Sequence, residues 1–158
     1  KMVNNALPIS QSKRPVLNLG DWGESPIYGD VLFHSDDFQV IEGIDGIGVD
    51  GITGTLNGVE TADWRWEDWN TDVAAMDGGL QMLLLWAREN MGGAALPMAI
   101  GEAFIPNTKP QSGRVTCFAQ CRTNGKNRGV ANIIFQDQQN TSIAEFKNVE
   151  LILRPTHN

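Results

Sequence analysis

The chain has 158 residues, of which 41% are hydrophobic and 20% are charged, a composition typical of one globular domain and not of a disordered segment. Its 12 Lys and Arg residues stand against 19 Asp and Glu, and this net charge of -7 disfavours general binding to nucleic acid or to an anionic membrane surface. No apolar run reaches the ~20 residues of a membrane span, and no signal-peptide core lies near Lys1.

The N-terminal segment, residues 1–26, contains Pro8, Pro15 and Pro26 among Ser, Asn and Gly, and we interpret it as an irregular arm or a linker between two halves. The remainder, residues 27–158, is predicted to form one domain. Because the chain does not begin with Met, an excised piece of a longer protein and a processed chain both fit this sequence.

Two strands are predicted between Phe38 and Gly58, where apolar residues and glycines alternate and Asp50-Gly51 favours a hairpin turn. Residues 46–51 formally match G-x-G-x-x-G, but a second strand-like segment follows instead of a helix, so a dinucleotide site is disfavoured. The connection that follows contains three tryptophans, which either line a ligand tunnel or anchor the connection against the core: Trp64, Trp66 and Trp69.

One long helix is predicted from Val73 to Met91. Thr71 or Asp72 can cap its first turn, and Gly92-Gly93 ends it. Its apolar residues recur with helical spacing and predict a single buried stripe: Val73, Met76, Leu80, Leu83, Leu84, Ala87 and Met91.

Four more strands are predicted after the helix, over Leu96–Ile105, Arg114–Arg122, Gly129–Phe135 and Ile143–Leu153. Turns are predicted at Asn124-Gly125 and at Asp137 to Asn140; at the first, a loop longer than two residues is the alternative to a tight turn. Two strands, one long helix and four strands indicate an α+β arrangement in which a curved antiparallel sheet wraps around the helix. That arrangement is the hotdog fold.

The two cysteines, Cys117 and Cys121, lie four residues apart in one predicted strand. Four residues of a strand span about 13 Å, which is too far for a disulfide. Beside these thiols only His34 and His157 are available as soft metal ligands, so a zinc site is disfavoured. The simplest interpretation is a reducing, cytoplasmic setting.

Asp77 is the unusual residue of the predicted helix, because its position places a carboxyl group at the edge of the apolar stripe. A carboxyl group partly withdrawn from water can act as a general acid. Gln81 lies one turn further along and can orient that acid or a substrate hydroxyl. Gly78 and Gly79 lower the helix propensity, which suggests close approach to the backbone, either by a ligand or by packing.

These residues resemble a known family. Residues 28–104 look like the C-terminal hotdog half of a polyketide synthase dehydratase, in the version of polyunsaturated fatty acid and related iterative synthases. The matching pieces are Leu32 to Ile41, the helix from Asp72 to Gln81 with its D-x-x-x-Q motif, and Leu96-Pro97.

The resemblance implies that Asp77 and Gln81 are catalytic in the dehydration of 3-hydroxyacyl thioesters to 2-enoyl thioesters. It implies contact with substrate for His34, Phe38, Gly78, Leu96 and Pro97. No bound cofactor is expected, since the acyl chain arrives on the phosphopantetheine arm of an acyl carrier protein. The other partner is a second hotdog half, from the same polypeptide or from a homodimer.

Two departures from the family pattern bear on activity. The H-x-x-x-G-x-x-x-x-P motif of the other half is absent, so the histidine that removes the α-proton must come from that second half. Ser35-Asp36 stands where the family usually has Gly-Pro after the aromatic residue or His of its first strand. Two alternatives remain open: a stand-alone homodimeric hotdog thioesterase, and a non-catalytic hotdog that shapes or docks a synthase.

Overall fold

The structure is a computed structural model, and it describes residues 2–3, 16–23, 26–29, 32, 39–57, 73–105 and 114–154. Over these residues the chain forms one helix, α1, and seven strands. In chain order the elements are β1 Met2–Val3, β2 Ile41–Gly48, β3 Gly51–Asn57, α1 Val73–Met91, β4 Ala95–Phe104, β5 Arg114–Thr123, β6 Arg128–Gln136 and β7 Ser142–Leu153.

The strands form one sheet in the order β1-β4-β7-β6-β5-β3-β2. Every neighbouring pair from β4 to β2 is antiparallel, and only the two-residue β1 runs parallel to its neighbour β4. Helix α1 packs against the six longer strands, and the buried side chains of helix and sheet form one core. This is the predicted hotdog fold.

Helix α1 has the predicted bounds. Gly92 follows it with φ of 79°, a left-handed conformation that glycine adopts without strain and that ends a helix. Near this end, the Trp86 indole Nε1 donates a hydrogen bond of 3.0 Å to the Gly48 carbonyl, and Asn90 Nδ2 donates one of 3.2 Å to the same oxygen. The helix is thereby tied to the turn between β2 and β3.

Gly78 and Gly79 leave no room for a Cβ between the helix and the side chains packed against it. A Cβ at Gly78 would lie 2.9 Å from Val40 Cγ2, and one at Gly79 would lie 2.5 Å from the ring of Phe135. The close approach inferred from the sequence is therefore present, and the groups that approach are side chains of this protein's own core. Packing by itself accounts for both glycines.

The hairpins follow the predicted turns with small shifts. The β2–β3 loop is Val49-Asp50, one residue earlier than expected, and Gly51 already belongs to β3, where a Cβ would collide with the carbonyl oxygen of Ala119. Gly51 begins a strand and not a helix, so residues 46–51 do not form a dinucleotide-binding turn. The β5–β6 loop is lengthened to residues 124–127, and the Asp137 carboxylate accepts two backbone N–H bonds in the β6–β7 turn.

The N-terminal arm is less irregular than expected where the structure describes it. Met2 and Val3 pair with Ala103 and Phe104, and Gly20 exchanges two backbone hydrogen bonds of 2.9 Å with Ile47. The predicted caps Thr71 and Asp72 and the three tryptophans of the connection lie outside the described residues. In the described part of the chain, no helix is long and apolar enough to cross a membrane.

Candidate active site

Asp77 and Gln81 are brought together by helix α1, because residues four apart lie one turn above each other. Gln81 Nε2 donates a hydrogen bond of 2.7 Å to Asp77 Oδ2. The Gln81 side chain is buried at 2% exposure, whereas Asp77 is only partly buried. The pair thus presents a carboxyl group at the protein surface with its orientation set by a buried amide.

Tyr28 completes this arrangement from a segment far away in sequence. Its hydroxyl group donates a hydrogen bond of 2.6 Å to Gln81 Oε1 and accepts one of 2.9 Å from the backbone N–H of Ile41. Tyr28 was not among the predicted site residues, because 53 residues separate it from Gln81 and no spacing rule connects them. The available signal was its position: it is the only tyrosine of the chain and the first residue of the segment that resembles the dehydratase family.

The surroundings of Tyr28 favour its neutral form. Burial raises the pKa of its phenol from 10 to about 12; the Ile41 N–H works against this increase, and the nearby charge of Asp77 adds to it. Tyr28 therefore keeps its proton at neutral pH and remains a hydrogen-bond donor to Gln81.

This raised pKa predicts a pH dependence of stability. Below about pH 10 the folded and unfolded chains both hold the phenol proton; between about pH 10 and 12 only the folded chain holds it, so the free energy of unfolding falls as the pH rises. Tyr28→Phe lacks this contribution and should lose less stability over the same range. Urea unfolding of both proteins at about pH 9 and about pH 11 measures the difference, because all other titrating groups are common to both. An equal loss in the two proteins would contradict the prediction.

Of the other residues expected to contact substrate, the structure describes Gly78, Leu96 and Pro97. Gly78 is next to Asp77 but faces Val40 and Leu56. Leu96 and Pro97 follow the opposite end of α1 in the chain, and the 14 steps along the helix from Asp77 to Met91 span about 21 Å. His34 and Phe38 lie outside the described residues. Substrate contacts of these five residues therefore stay a prediction.

The two thiols are poor candidates for catalysis. Cys117 and Cys121 are buried and unbridged, as the strand spacing predicted, and burial raises the pKa of both thiols, so they remain protonated. Among the described residues, no group of His, Cys, Asp and Glu side chains could hold a metal ion. Both histidines of the sequence lie outside that part of the chain.

A cavity of about 420 Å³ lies elsewhere on the molecule, lined by residues of the β2–β3 turn, the arm and strands β5, β6 and β7. Its polar lining includes Asp50, Gln120, Arg122 and Asn132. It contains neither Tyr28, nor Gln81, nor Asp77, so the candidate site is defined by the hydrogen-bonded carboxyl group and not by this cavity.

Solved structures share the fold at low sequence identity. The dehydratase domain of the CurJ module of curacin polyketide synthase superposes with a TM-score of 0.66 at 14% identity, over 78% of this chain and 44% of that one. A trans-acyltransferase polyketide synthase enoyl-isomerase superposes with a TM-score of 0.62 at 10% identity, over 74% of this chain and 46% of that one. A variant of a thioesterase from Staphylococcus aureus superposes with a TM-score of 0.55 at 15% identity, over 72% of this chain and 93% of that one.

These similarities show the hotdog fold. The chain spans less than half the length of the dehydratase domain and of the enoyl-isomerase, and nearly the whole length of the thioesterase. No protein-family model matches the sequence, and no curated protein matches it either. The choice between these activities therefore depends on the chemistry of the site.

Proposed function

We propose that this chain is one hotdog half of a dehydratase that converts 3-hydroxyacyl carrier-protein thioesters to 2-enoyl thioesters. The observation that carries the proposal is the carboxyl group of Asp77, held by Gln81 at 2.7 Å, which is held in turn by Tyr28 at 2.6 Å. A partly exposed acid with a buried orienting amide is suited to deliver a proton to a substrate that arrives from outside the chain.

In the proposed reaction, a histidine of the second half removes the α-proton of the thioester, and its electron pair forms the C2–C3 double bond. The C3–oxygen bond breaks, Asp77 gives its proton to the departing hydroxyl group, and water leaves. Gln81 holds the carboxyl group in place and stabilises the carboxylate that remains, because its amide N–H donates to Asp77 Oδ2. No cofactor takes part, and the acyl group is carried on phosphopantetheine.

The surface of strand β4 supports the requirement for a second half. In the described residues β1 pairs with β4 at Ala103 and Phe104. Apolar side chains of β4 are exposed: Leu96 at 45%, Met98 at 62% and Ile100 at 37%. Neighbouring exposed apolar side chains are a feature that proteins normally cover. We therefore place the partner half, from the same polypeptide or from a second copy, against β4.

A thioesterase is the second candidate, and one observation favours it. The match to the Staphylococcus aureus thioesterase covers 93% of that chain, so a single hotdog of this size corresponds to a complete thioesterase chain. In this case Asp77 would act as a base on a water molecule that attacks the thioester carbonyl, or as a nucleophile that displaces the thiol and forms an acyl anhydride that water hydrolyses. Either route gives a free acid and a free thiol.

The deciding experiment offers short and long 3-hydroxyacyl carrier-protein thioesters to this chain alone and to the chain combined with a histidine-bearing hotdog half. Mass spectrometry detects loss of water from the carrier-bound acyl group, and a thiol reagent detects hydrolysis. The dehydratase proposal expects 2-enoyl product from the combined protein and none from the chain alone. Release of thiol by the chain alone would favour the thioesterase, and no product in any arm would favour the non-catalytic hotdog.

A further inference from the structure

The hydrogen bonds of the site have one direction along their whole length. The backbone N–H of Ile41 donates to the Tyr28 hydroxyl oxygen, the Tyr28 O–H donates to Gln81 Oε1, and Gln81 Nε2 donates to Asp77 Oδ2. A backbone N–H can only donate, so the direction is set at Ile41, at the start of β2. Asp77 Oδ2 is the acceptor at the other end.

The carboxamide of Gln81 is the one link that can be reversed by rotation, since its oxygen and nitrogen exchange places when the group turns over. In the reversed orientation Gln81 Oε1 would face Asp77 and accept the proton of the neutral acid. The Gln81 N–H groups would then face the Tyr28 oxygen, and the bond from the phenol proton to Gln81 Oε1 would be lost in a half-buried place. Loss of a hydrogen bond in such a place is unfavourable, so Tyr28 opposes the reversal.

We propose that Tyr28 is a positioning residue that locks the Gln81 carboxamide and thereby keeps the transferable proton of Asp77 on Oδ1, the oxygen not bonded to Gln81. Without the lock, neutral Asp77 satisfies itself by donating to Gln81, and its proton points into the protein instead of toward the substrate. The catalytic consequence rests on the proposed dehydratase function. The orientation of the amide does not.

The test of the lock is an NMR measurement on the 158-residue chain, labelled with 15N at glutamine side chains and compared with Tyr28→Phe, which removes only the hydroxyl group. In the parent, we expect one Gln81 amide proton to be shifted downfield by its bond to Asp77 and to exchange slowly. In Tyr28→Phe, both Gln81 amide signals should move and exchange faster. Unchanged Gln81 signals would overturn the proposal.

The matched control is Asn90→Ala, which removes one side-chain hydrogen bond from α1 to the β2–β3 hairpin and one within α1, both toward the other end of the helix. It should leave the Gln81 signals in place. A change as large as that of Tyr28→Phe would overturn the proposal, because the signals would then report general loosening of the helix.

A second measurement covers the case in which Tyr28→Phe does not fold. The chain has one tyrosine, so a 13C label at the tyrosine ring yields a single unambiguous phenol signal. In the parent its hydroxyl proton should exchange slowly and show a nuclear Overhauser contact to Gln81. A hydroxyl proton in rapid exchange with water, without that contact, would overturn the lock.

The activity arm uses the combined two-half protein. Loss of one orienting hydrogen bond should lower kcat by roughly 2- to 12-fold in Tyr28→Phe, with KM nearly unchanged. A shift of the Gln81 signals with unchanged kcat would overturn the positioning role. Absence of activity in the parent would instead contradict the proposed dehydratase function. The amide spectra would still test whether Tyr28 fixes the orientation of the Gln81 carboxamide.

Discussion

Replacement of Asp77 by Asn is expected to lower the dehydration rate of the combined two-half protein by about 100- to 10,000-fold. Asn has the shape of Asp and its amide oxygen can still accept the Gln81 N–H, but it has no proton to give to the departing hydroxyl group. The chain should therefore fold normally and bind substrate, and the loss should appear in kcat. The measurement is the rate of 2-enoyl product formation from a 3-hydroxyacyl carrier-protein thioester.

The control for this substitution is Asp50→Asn, which makes the same chemical change in the β2–β3 turn, far from Gln81 and Tyr28. Its rate should equal that of the parent, since Asn is accepted in turns as readily as Asp. If Asp77→Asn turns over substrate as fast as the parent and Asp50→Asn, Asp77 has no role as the acid and the proposed mechanism is wrong.

Trp86→Ala should be the most destabilising single truncation of the core, lowering the free energy of unfolding by about 3–5 kcal/mol. Trp86 is fully buried, and its ring lies against the position of Gly129, where an added Cβ would be 3.4 Å from Cζ3. Alanine would leave a cavity at this place and would also remove the indole donor to the Gly48 carbonyl. Urea denaturation measures the change in the free energy of unfolding.

Trp86→Phe separates the two contributions, because it keeps an aromatic ring and removes the N–H group. Its effect should be clearly smaller, since Asn90 Nδ2 still donates to the Gly48 carbonyl at 3.2 Å and that oxygen stays satisfied. A loss below ~1 kcal/mol for Trp86→Ala would show that this side chain does not hold the C-terminal part of α1 against the hairpin.

The proximity of Asp77 and Gln81 could be predicted from the sequence because both residues lie on one helix. Asp77 and Gln81 have the spacing at which helical side chains meet, and the structure joins them by a hydrogen bond. The contact of Tyr28 with Gln81 could not be predicted in this way, since it spans 53 residues and depends on tertiary packing. The two glycines next to Asp77 predicted a close approach to the helix backbone, but only the structure shows that Val40 and Phe135 fill the space beside them.

The sequence by itself determined the local elements of this protein. The apolar spacing and Gly92 set the bounds of α1, and the turn residues set the hairpins, because these signals act between residues a few positions apart. Tertiary structure alone decided the neighbours: β3 pairs with β5, β4 pairs with β7, and Met2–Val3 joins β4 in parallel. It also decided that Tyr28 reaches Gln81. Such pairings depend on which surfaces bury each other, and residues far apart in the chain carry no spacing signal for that.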